Sequence, residues 1–348
     1  MRIAMAHSHL TTFGGGERFV LEVSRRLAAR HEITIYTGSY VPTTTYPELA
    51  EFPRVHVSPL QWGTLHVKAD AIVAHTFGAN LLAYANPNVA YYVHSLRSRY
   101  LTGGSRPDLI LRRALDRRAI RHDRRVIANS QFTAQKFQGL YQREVTDLVY
   151  CGIDASLFAA PETVGDHALY LGRLAPEKGL ERLLRWWEPL DYPLHIVGSG
   201  DTAYVQALKQ QAGKQVRFLE PVSGEAVAAV YQQCRFVVYL PFEEELGIVP
   251  LEAMGAGKPV IGANEGGLRE TVIPGKTGFL VDSAEAFQAA TRQLIDSDEA
   301  CKALGSAGRM HAQPFTWERT AEQIERICAE MAGGTENASS LQPGSVNG

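Results

Sequence analysis

The chain has 348 residues, enough for roughly two domains of about 150 to 170 residues that each bury a core. Apolar residues make up 45% of it and charged residues 21%, the balance of a soluble globular protein. The formal net charge of −2 gives no global attraction for nucleic acid, and the four widely spaced cysteines favour neither a disulfide framework nor a zinc site. No apolar run is long enough to span a membrane, and no signal peptide is visible. We therefore expect a cytoplasmic protein without a nucleic-acid partner.

Apolar segments alternate with helical patterns along the first half of the chain. The predicted strands are Ile3–Ala6, Ile33–Tyr36, Val55–Val57, Ala71–Ala74, Val89–Val93, Val126–Ala128 and Val145–Val149, and the predicted helices are Glu17–Arg30, Pro107–Arg121 and Gln131–Phe137. Such alternation is typical of a parallel, doubly wound α/β sheet. We predict a Rossmann-like first domain over residues 1–152.

Three of these strands end on a histidine, at His7, His75 and His94. A single histidine in such a place more often has a structural or capping role. Because the carboxyl ends of parallel strands meet at one edge of the sheet, three of them together predict a polar floor there.

Three consecutive glycines, Gly14–Gly16, lie between the first strand and the first long helix. Glycines in this place let backbone N–H groups approach a phosphate, and the helix N-terminus adds a partial positive charge. A flexible turn is the alternative, and the position after the first strand favours phosphate binding.

The segment Arg97–Arg125 is strongly basic, with ten arginines against three aspartates and a partly apolar helical face. Such a helix is suited to an anionic membrane surface or to an anionic acceptor. A solvated basic face packed on its own domain explains the composition equally well, so both interpretations stay open.

Residues 153–166 hold few apolar positions and are predicted to be a linker, after which the α/β alternation resumes in a second domain over residues 167–312. Its predicted strands are Ala168–Leu171, Leu194–Val197, Val216–Leu219, Phe236–Leu240 and Val260–Ile261. The polar, Gly/Ser-rich residues 333–348 are predicted to be disordered.

Two cations, Arg173 and Lys178, follow the first strand of this second domain. A lysine at a helix start opposes the helix dipole, so the pair is best explained by an anion that binds between them. A diphosphate would suit both, because arginine gives bidentate contacts and lysine a point charge. The alternative is a surface ion pair between Glu177 and Lys178.

The stretch Phe236–Ile261 joins two buried strands through an acidic turn and a short helix that opens at Gly247. Ligands of open α/β sheets bind beyond the carboxyl ends of the strands. Glu244 in the turn and Glu252 on the helix are therefore candidates to bind a ligand, against the alternative of a solvated acidic loop.

Two motifs resemble a dinucleotide-binding site and a metal-binding site. Gly198–Ala203 follows a strand and matches G-x-G-x-x-A, with Glu220 further along, as in NAD-dependent dehydrogenases. We do not favour that function, because Asp201 would face the pyrophosphate and the motif follows the second strand of its domain. Asp296–Asp298 resembles a metal-binding pair, but it joins two helical patterns and predicts helix capping.

Together these motifs resemble the GT-B-fold glycosyltransferases of the large group 1 retaining family, over nearly the whole chain. The resemblance is carried mainly by GRLAPEKG and by the E-x7-E element that runs into EAMGAGKPVI, with support from GGGE, ANSQFT, CGID, EGGLRE and TGFLV. It implies two doubly wound Rossmann-like domains that face a central cleft. The N-terminal domain would bind the acceptor, the C-terminal domain the nucleotide sugar, and residues 313–330 would form a helix that returns to the N-terminal domain.

The resemblance also implies roles for single residues. Arg173 and Lys178 would neutralise the donor diphosphate, Glu252 would accept from the ribose hydroxyls, Glu244 would hold sugar hydroxyls, and His94 would lie beside the anomeric carbon. Backbone contacts to the donor would come from Gly15, Gly16, Gly247, Gly266 and Gly267.

One departure from the family leaves the sugar ligand open. Glu245 and Leu246 stand where the family has Gly-Phe. Any of Glu243, Glu244 and Glu245 therefore qualifies, although spacing favours Glu244.

The implied reaction transfers a hexose from a GDP- or UDP-sugar to a saccharide or lipid-linked acceptor, with retention of configuration and without a cofactor or metal ion. The segment YYVHSLRSRY resembles mannosyltransferases of surface-polysaccharide assembly and favours GDP-mannose. A basic segment on an anionic membrane would make the protein peripheral to the inner face. A sugar-nucleotide epimerase of the same fold and a non-catalytic nucleotide-sugar-binding subunit remain alternatives.

Overall fold

The structure, a computed structural model, describes residues 1–96, 107–158, 163–222 and 225–339. Its contacts divide the chain into two compact units. The first unit combines Met1–Cys151 with the chain from Trp317 onward, and the second is Gly152–Thr316. Each unit is built on one parallel β-sheet flanked by helices.

The described part of the first unit contains a seven-stranded sheet in the order β3-β2-β1-β4-β5-β6-β7. The strands are β1 (Arg2–His7), β2 (Glu32–Thr37), β3 (Arg54–His56), β4 (Ala71–Ala74), β5 (Val89–Val93), β6 (Arg125–Ala128) and β7 (Asp147–Leu148). The helices between them are α1 (Gly15–Leu27), α2 (Phe77–Asn80), α3 (Pro107–His122) and α4 (Gln131–Tyr141). Strands β4 and β5 are buried along their whole length, as expected for a parallel sheet covered on both faces. The doubly wound sheet predicted from the alternation is confirmed.

The second unit carries a six-stranded sheet in the order β10-β9-β8-β11-β12-β13 over its described residues. The strands are β8 (Ala168–Leu171), β9 (Leu194–Val197), β10 (Val216–Leu219), β11 (Phe236–Tyr239), β12 (Val260–Ala263) and β13 (Gly278–Val281). The helices are α5 (Leu180–Trp187), α6 (Thr202–Gln211), α7 (Glu225–Gln233), α8 (Ile248–Gly255), α9 (Leu268–Thr271), α10 (Ala284–Asp296) and α11 (Asp298–Ala312). Trp187, Phe236 and Phe287 lie in its core, where the Trp187 ring contacts the rings of Phe236 and Phe287.

The last helix, α12 (Trp317–Ser339), packs against α1, as predicted for a helix that returns to the first domain. Trp317 is fully buried, and the edge of its ring contacts Phe19 with 6.2 Å between centroids. Glu318 also accepts hydrogen bonds from Arg26 at 2.7 and 2.9 Å. None of the described helices is both long and apolar enough to cross a bilayer.

Both ends of α12 differ from the prediction. The helix begins at Trp317 rather than at residue 313, because Phe315 and Thr316 pair with Ile153 in an extended bridge. Residues 333–339, which the sequence analysis assigned to the tail, continue the helix. Adding a turn to an existing helix costs little compared with starting one. Residues 340–348 lie outside the described residues.

Candidate functional site

Lys178 ends a 3-10 turn, Pro176–Lys178, between β8 and α5. Its Nζ donates a hydrogen bond to Glu244 Oε2 at 2.6 Å and another to the Tyr239 hydroxyl at 3.1 Å. The side chains of Lys178 and Glu244 are only 13% and 18% exposed. The structure therefore joins two predicted site residues into one partly buried ion pair, with Tyr239 as a third member.

The backbone of the acidic turn is held by two predicted site glycines. Gly266 has a φ of +63°, and a Cβ there would lie 2.4 Å from the Glu244 carbonyl oxygen. The N–H of Gly267 donates to that same oxygen at 2.7 Å. Gly266 and Gly267 thus fix the position of Glu244, a structural role beyond the backbone contact to a ligand that the sequence suggested.

A second clamp holds the residues just before the turn. Gly179 has a φ of +70°, and a Cβ there would lie 1.9 Å from the Leu240 carbonyl oxygen. Arg182 donates to the carbonyl oxygens of Leu240 and Pro241 at 2.6 and 2.9 Å and to Glu265 at 2.8 Å. Helix α5 and the acidic turn are consequently locked together around Lys178.

Arg173 follows β8 and is half exposed, with its guanidinium 3.3 Å from Glu177 Oε1. An exposed ion pair of this kind contributes little free energy, so Arg173 can exchange its partner for a ligand at low cost. Glu177 pairs here with Arg173, whereas Lys178 turns to Glu244. The surface pair between Glu177 and Lys178 considered above is therefore not the arrangement observed.

Glu252 lies on α8, which begins after Gly247 with a φ of +85° at that glycine. The carboxylate is 4% exposed and accepts a hydrogen bond at 2.9 Å from the hydroxyl of Tyr231, which is fully buried. A buried carboxylate is costly unless it is hydrogen-bonded, so Tyr231 both stabilises Glu252 and fixes its direction.

Three helices of the predicted site begin in an unusual way. Helices α1, α5 and α8 begin directly after Gly14, Gly179 and Gly247, and none of these N-termini receives a side-chain cap from the described residues. By contrast, α4, α6, α10 and α11 are capped by Ser or Asp side chains. The glycine-capped helices leave the first-turn N–H groups without a side-chain acceptor, which suits them to an anion.

The three histidines predicted to form a polar floor do lie together at the carboxyl edge of the first sheet. His75 Nδ1 is 3.1 Å from His94 Nε2, and the ring centroids of His7 and His75 are 6.3 Å apart. Burial lowers the pKa of His7 to about 4 and that of His94 to about 3, and it lowers the pKa of His75 well below its ordinary value. All three rings are therefore neutral near pH 7.

Gly15 and Gly16 are the first residues of α1. A Cβ on Gly16 would lie 3.2 Å from His7 Nε2 and 3.8 Å from His94 Cδ2. The missing side chain at Gly16 lets the helix start approach the histidines. This brings His94 and Gly16, both predicted site residues, into one neighbourhood of the first unit.

The dehydrogenase-like motif has a structural explanation. A Cβ on Gly198 or Gly200 would overlap a neighbouring backbone oxygen, at 1.9 Å from that of Gly172 and 2.0 Å from that of Leu174 respectively. Asp201 caps α6 by accepting from the Tyr204 N–H at 3.0 Å. In this motif Gly198 and Gly200 thus allow close packing of the backbone, and Asp201 caps a helix.

The predicted capping role of Asp296–Asp298 is also observed. Ser297 accepts from the Ala300 N–H at 3.1 Å and caps α11.

Only part of the basic segment falls within the described residues, because residues 97–106 lie outside them. Arg117, Arg118 and Arg121 on α3 are exposed, whereas Asp116 on the helix and Asp123 just after it are buried. Asp116 accepts a hydrogen bond from Tyr141, and Asp123 accepts one from Asn80 at 3.1 Å. Asp116 and Asp123 thus anchor this part of the chain, and Arg117, Arg118 and Arg121 face solvent.

Sequence reasoning missed the supporting residues. Tyr239 ends a strand at the ligand-binding edge, which is a usable signal. Tyr231 carries no such signal, since it lies on α7 and reaches Glu252 only through the folded core. His75 was noted with the other histidines but not as a contact of His94.

Two family models match the chain. The model described as "Glycosyl transferases group 1" matches residues 163–311, and the model described as "Glycosyltransferase Family 4" matches residues 13–157. Together they cover most of both units.

Curated relatives include D-inositol 3-phosphate glycosyltransferases. The protein of that name from Corynebacterium diphtheriae is 34% identical over 47% of this chain, and the match spans 42% of that relative's length. The one from Paenarthrobacter aurescens is 26% identical over 84% of this chain and 80% of its own length.

Solved structures match over nearly the whole chain. Sucrose-phosphate synthase from Thermosynechococcus elongatus has a TM-score of 0.80 at 21% identity, and the match covers 96% of this chain and 100% of that one. Anabaena HepE in complex with UDP and glucose has a TM-score of 0.78 at 22% identity, over 95% and 100% of the two chains. At this identity the likeness concerns the fold, which in these neighbours is GT-B. With both family models matched and two parallel α/β units of this fold, the chain belongs to the group 1 glycosyltransferases.

Proposed function

We propose that the protein is a retaining glycosyltransferase that moves a hexose from a nucleotide sugar to a saccharide or lipid-linked acceptor. The observation that carries this proposal is the Lys178–Glu244 pair at the carboxyl edge of the second sheet, 2.6 Å apart. It sets a cation suited to a diphosphate directly beside a carboxylate suited to sugar hydroxyls. Membership of the group 1 glycosyltransferases supports the same activity.

Lys178 retains the capacity to bind a phosphate. An ammonium group has three N–H donors. Two of them are engaged, one by Glu244 and one by Tyr239, so the third is left for a phosphate oxygen. Arg173 and the uncapped N-termini of α5 and α8 add further positive potential at the same sheet edge.

The chemistry follows from where charge develops. As the bond between sugar and diphosphate breaks, the sugar becomes oxocarbenium-like and negative charge grows on the diphosphate. Preorganised Lys178 and Arg173 stabilise that charge, and a term of this kind contributes several kcal/mol. Metal independence is part of the proposal, because these side chains supply the charge that a divalent ion otherwise provides. The leaving phosphate takes the acceptor proton, and the acceptor attacks on the face that the phosphate leaves.

The other predicted residues take supporting roles. Glu252 accepts from the ribose hydroxyls, and Gly15, Gly16, Gly247, Gly266 and Gly267 provide backbone contacts to the donor. His94 lies beside the anomeric carbon, and the first unit binds the acceptor. Glu244 is the sugar ligand among the three glutamates of the turn, because Lys178 holds its carboxylate in place.

The donor base is the open part of this proposal. The segment YYVHSLRSRY supports mannose from GDP-mannose. In the other direction, HepE was solved with UDP-glucose. We keep GDP-mannose as the first donor to test and UDP-glucose as its competitor.

A calorimetric panel of GDP, UDP, ADP and NAD⁺, run without added metal, tests the proposal. We expect micromolar affinity for either GDP or UDP, unchanged by a chelator, followed by acceptor-dependent release of that diphosphate from the matching sugar nucleotide. Selective binding of NAD⁺ would contradict a transferase. Interconversion of donor sugars without an acceptor would identify an epimerase, and donor affinity without turnover would identify a binding subunit.

We also propose that the protein binds an anionic membrane surface at the cytoplasmic face through α3. The exposed Arg117, Arg118 and Arg121 support this. Reversing these three charges should abolish sedimentation with vesicles that contain anionic lipid. Reversing the exposed Lys209, Lys214 and Arg292 of the second unit is the matched control and should leave sedimentation unchanged. If both variants lose sedimentation equally, or neither loses any, the arginines of α3 form a solvated face that does not bind the membrane.

A further inference from the structure

The histidine cluster of the first unit holds a hydrogen bond that needs a defined proton arrangement. His75 Nδ1 and His94 Nε2 are 3.1 Å apart, so one nitrogen must donate and the other must accept. Both rings are neutral, because burial and the neighbouring histidines lower both pKa values. Two protonated rings would point donor at donor, and the contact would be lost. Two arrangements of the hydrogen therefore remain.

The surroundings of His75 Nε2 decide between these two arrangements of the hydrogen. His75 is 3% exposed, and its Nε2 is buried without a hydrogen-bond partner among the residues that the structure describes. If the hydrogen of this ring were on Nε2, a buried N–H donor would be left unpaired, which folded proteins avoid more strictly than an unpaired acceptor. The hydrogen of His75 therefore belongs on Nδ1, where it can donate to His94.

We propose that His75 is a positioning residue that fixes His94 in the tautomer with hydrogen on Nδ1. In this arrangement the Nδ1–H of His75 donates to Nε2 of His94, and the single lone pair of the His94 ring is occupied. The N–H of His94 is then a hydrogen-bond donor. His94 has no remaining ring nitrogen with which to accept a proton.

The surrounding side chains hold both rings in this relation. Phe19 packs on His75 and on His94 with 5.1 Å between centroids in each case. Tyr92 packs on His94 at 4.6 Å, and the His94 carbonyl oxygen accepts from Asn129 at 3.0 Å. Rotation of either ring would disturb several buried contacts, so the pair keeps its geometry.

This inference rests in part on the proposed function and deepens it. Applied to transfer, a His94 that can only donate would bind a hydroxyl oxygen of the substrate and would not act as the base for the acceptor. The acceptor proton then goes to the leaving phosphate, as proposed above.

Long-range proton–nitrogen NMR of the full chain, labelled with nitrogen-15 histidine, tests the inference without any substrate. We expect His94, assigned by comparison with His94→Gln, to show a protonated Nδ1 and an unprotonated Nε2. In His75→Leu the hydrogen should move largely to Nε2, whereas His75→Asn, whose amide N–H replaces the Nδ1 donor, should keep the native tautomer. The exposed His66→Leu is the control and should change nothing.

A wild-type spectrum with the hydrogen of His94 on Nε2 would overturn the inference, and so would an unchanged tautomer in His75→Leu. The wild-type spectrum decides even if the His75 variants fail to fold. In transfer assays we expect kcat to fall about tenfold in His75→Leu with little change in donor KM, and to recover in His75→Asn. If the tautomer is as stated but no sugar nucleotide is ever turned over, the proposed function fails while the role of His75 stands.

Discussion

A buried contact with Tyr231 orients Glu252, the proposed ribose ligand. Only 4% of its surface is exposed, and the Tyr231 hydroxyl donates to one of its oxygens at 2.9 Å. A hydrogen bond of this kind fixes the direction of the carboxylate. The proposed ribose contact therefore depends on Tyr231 as well as on Glu252.

Removing the Tyr231 hydroxyl should weaken recognition of the ribose specifically. For Tyr231→Phe we expect the preference for a nucleoside diphosphate over its 2′,3′-dideoxy analogue to fall about tenfold, about 1.4 kcal/mol, while affinity for the analogue changes little. Calorimetry with both ligands measures this. Tyr192→Phe, which removes a hydroxyl from a ring stacked on Phe236, is the control. An unchanged preference in Tyr231→Phe would exclude the positioning role.

The sequence predicted single candidate residues of the site but not the contacts between them. Lys178 and Glu244 were both named as candidates from their places near strand ends, but they are 66 residues apart in the chain. Their contact depends on how β8 and β11 pair, which local pattern does not specify in register. Tyr231 was not found at all, because a buried tyrosine on a helix is usually a core residue.

Two loops of the second unit contain a glycine with positive φ, and only one of these glycines lies against the acidic turn. Gly266 and Gly275 have φ values of +63° and +72°. A Cβ on Gly266 would lie 2.4 Å from the Glu244 carbonyl oxygen, whereas beyond its two chain neighbours no described residue has an atom within 4 Å of a Cβ on Gly275. An alanine would meet similar backbone strain at both positions but a close contact at Gly266 only, which makes the two a matched pair.

We expect Gly266→Ala to displace the acidic turn and to weaken diphosphate-sugar binding at least tenfold. Gly275→Ala should cost about 1 kcal/mol of stability through strain alone and leave binding unchanged. Thermal unfolding and calorimetry on both variants measure the two effects. Equal losses of binding in the two variants would mean that Gly266 acts only through stability.

Helix α3 is anchored by a carboxylate whose ionisation should affect stability. Burial raises the pKa of Asp116 to about 6, opposed by the hydrogen bond from Tyr141 and by Arg117. A raised pKa means that Asp116 contributes stability fully below its ordinary value and loses that contribution as the pH rises through about 6. Asn at this position keeps an acceptor for Tyr141 and does not ionise.

Asp116→Asn should therefore match the wild type in stability at about pH 4 and exceed it at about pH 7.5. Urea unfolding at the two pH values checks this. Glu299→Gln on the exposed surface of α11 controls for a general change of charge. A difference between Asp116→Asn and wild type that does not vary with pH would show that Asp116 keeps an ordinary pKa.

Element boundaries were predicted where periodicity is strong and missed where it is weak. The buried strands β4 and β5 match the prediction residue for residue. Strand β13 (Gly278–Val281) was not predicted as a strand, because four residues opened by glycine give little pattern. The continuation of α12 past residue 333 was missed, since its composition is that of a disordered tail.

The whole molecule combines two parallel sheets whose carboxyl edges carry different chemistry. The first unit presents neutral histidines at that edge, and the second presents Lys178, Arg173 and Glu244. Alternating strands and helices predicted both sheets, because right-handed crossovers leave few other topologies for such a pattern. Family matches to each half of the chain agree with that division.

The most direct test of the account compares diphosphate with monophosphate binding in wild type, Lys178→Ala and the control Lys214→Ala. Lys214 is exposed on a loop after α6, so its removal takes away a charge but not the proposed contact. We expect wild type and Lys214→Ala to bind the nucleoside diphosphate at least tenfold more tightly than the monophosphate, and Lys178→Ala to lose most of that preference, about 1.4 kcal/mol or more. A Lys178→Ala protein that still distinguishes the two nucleotides as wild type does would contradict the account.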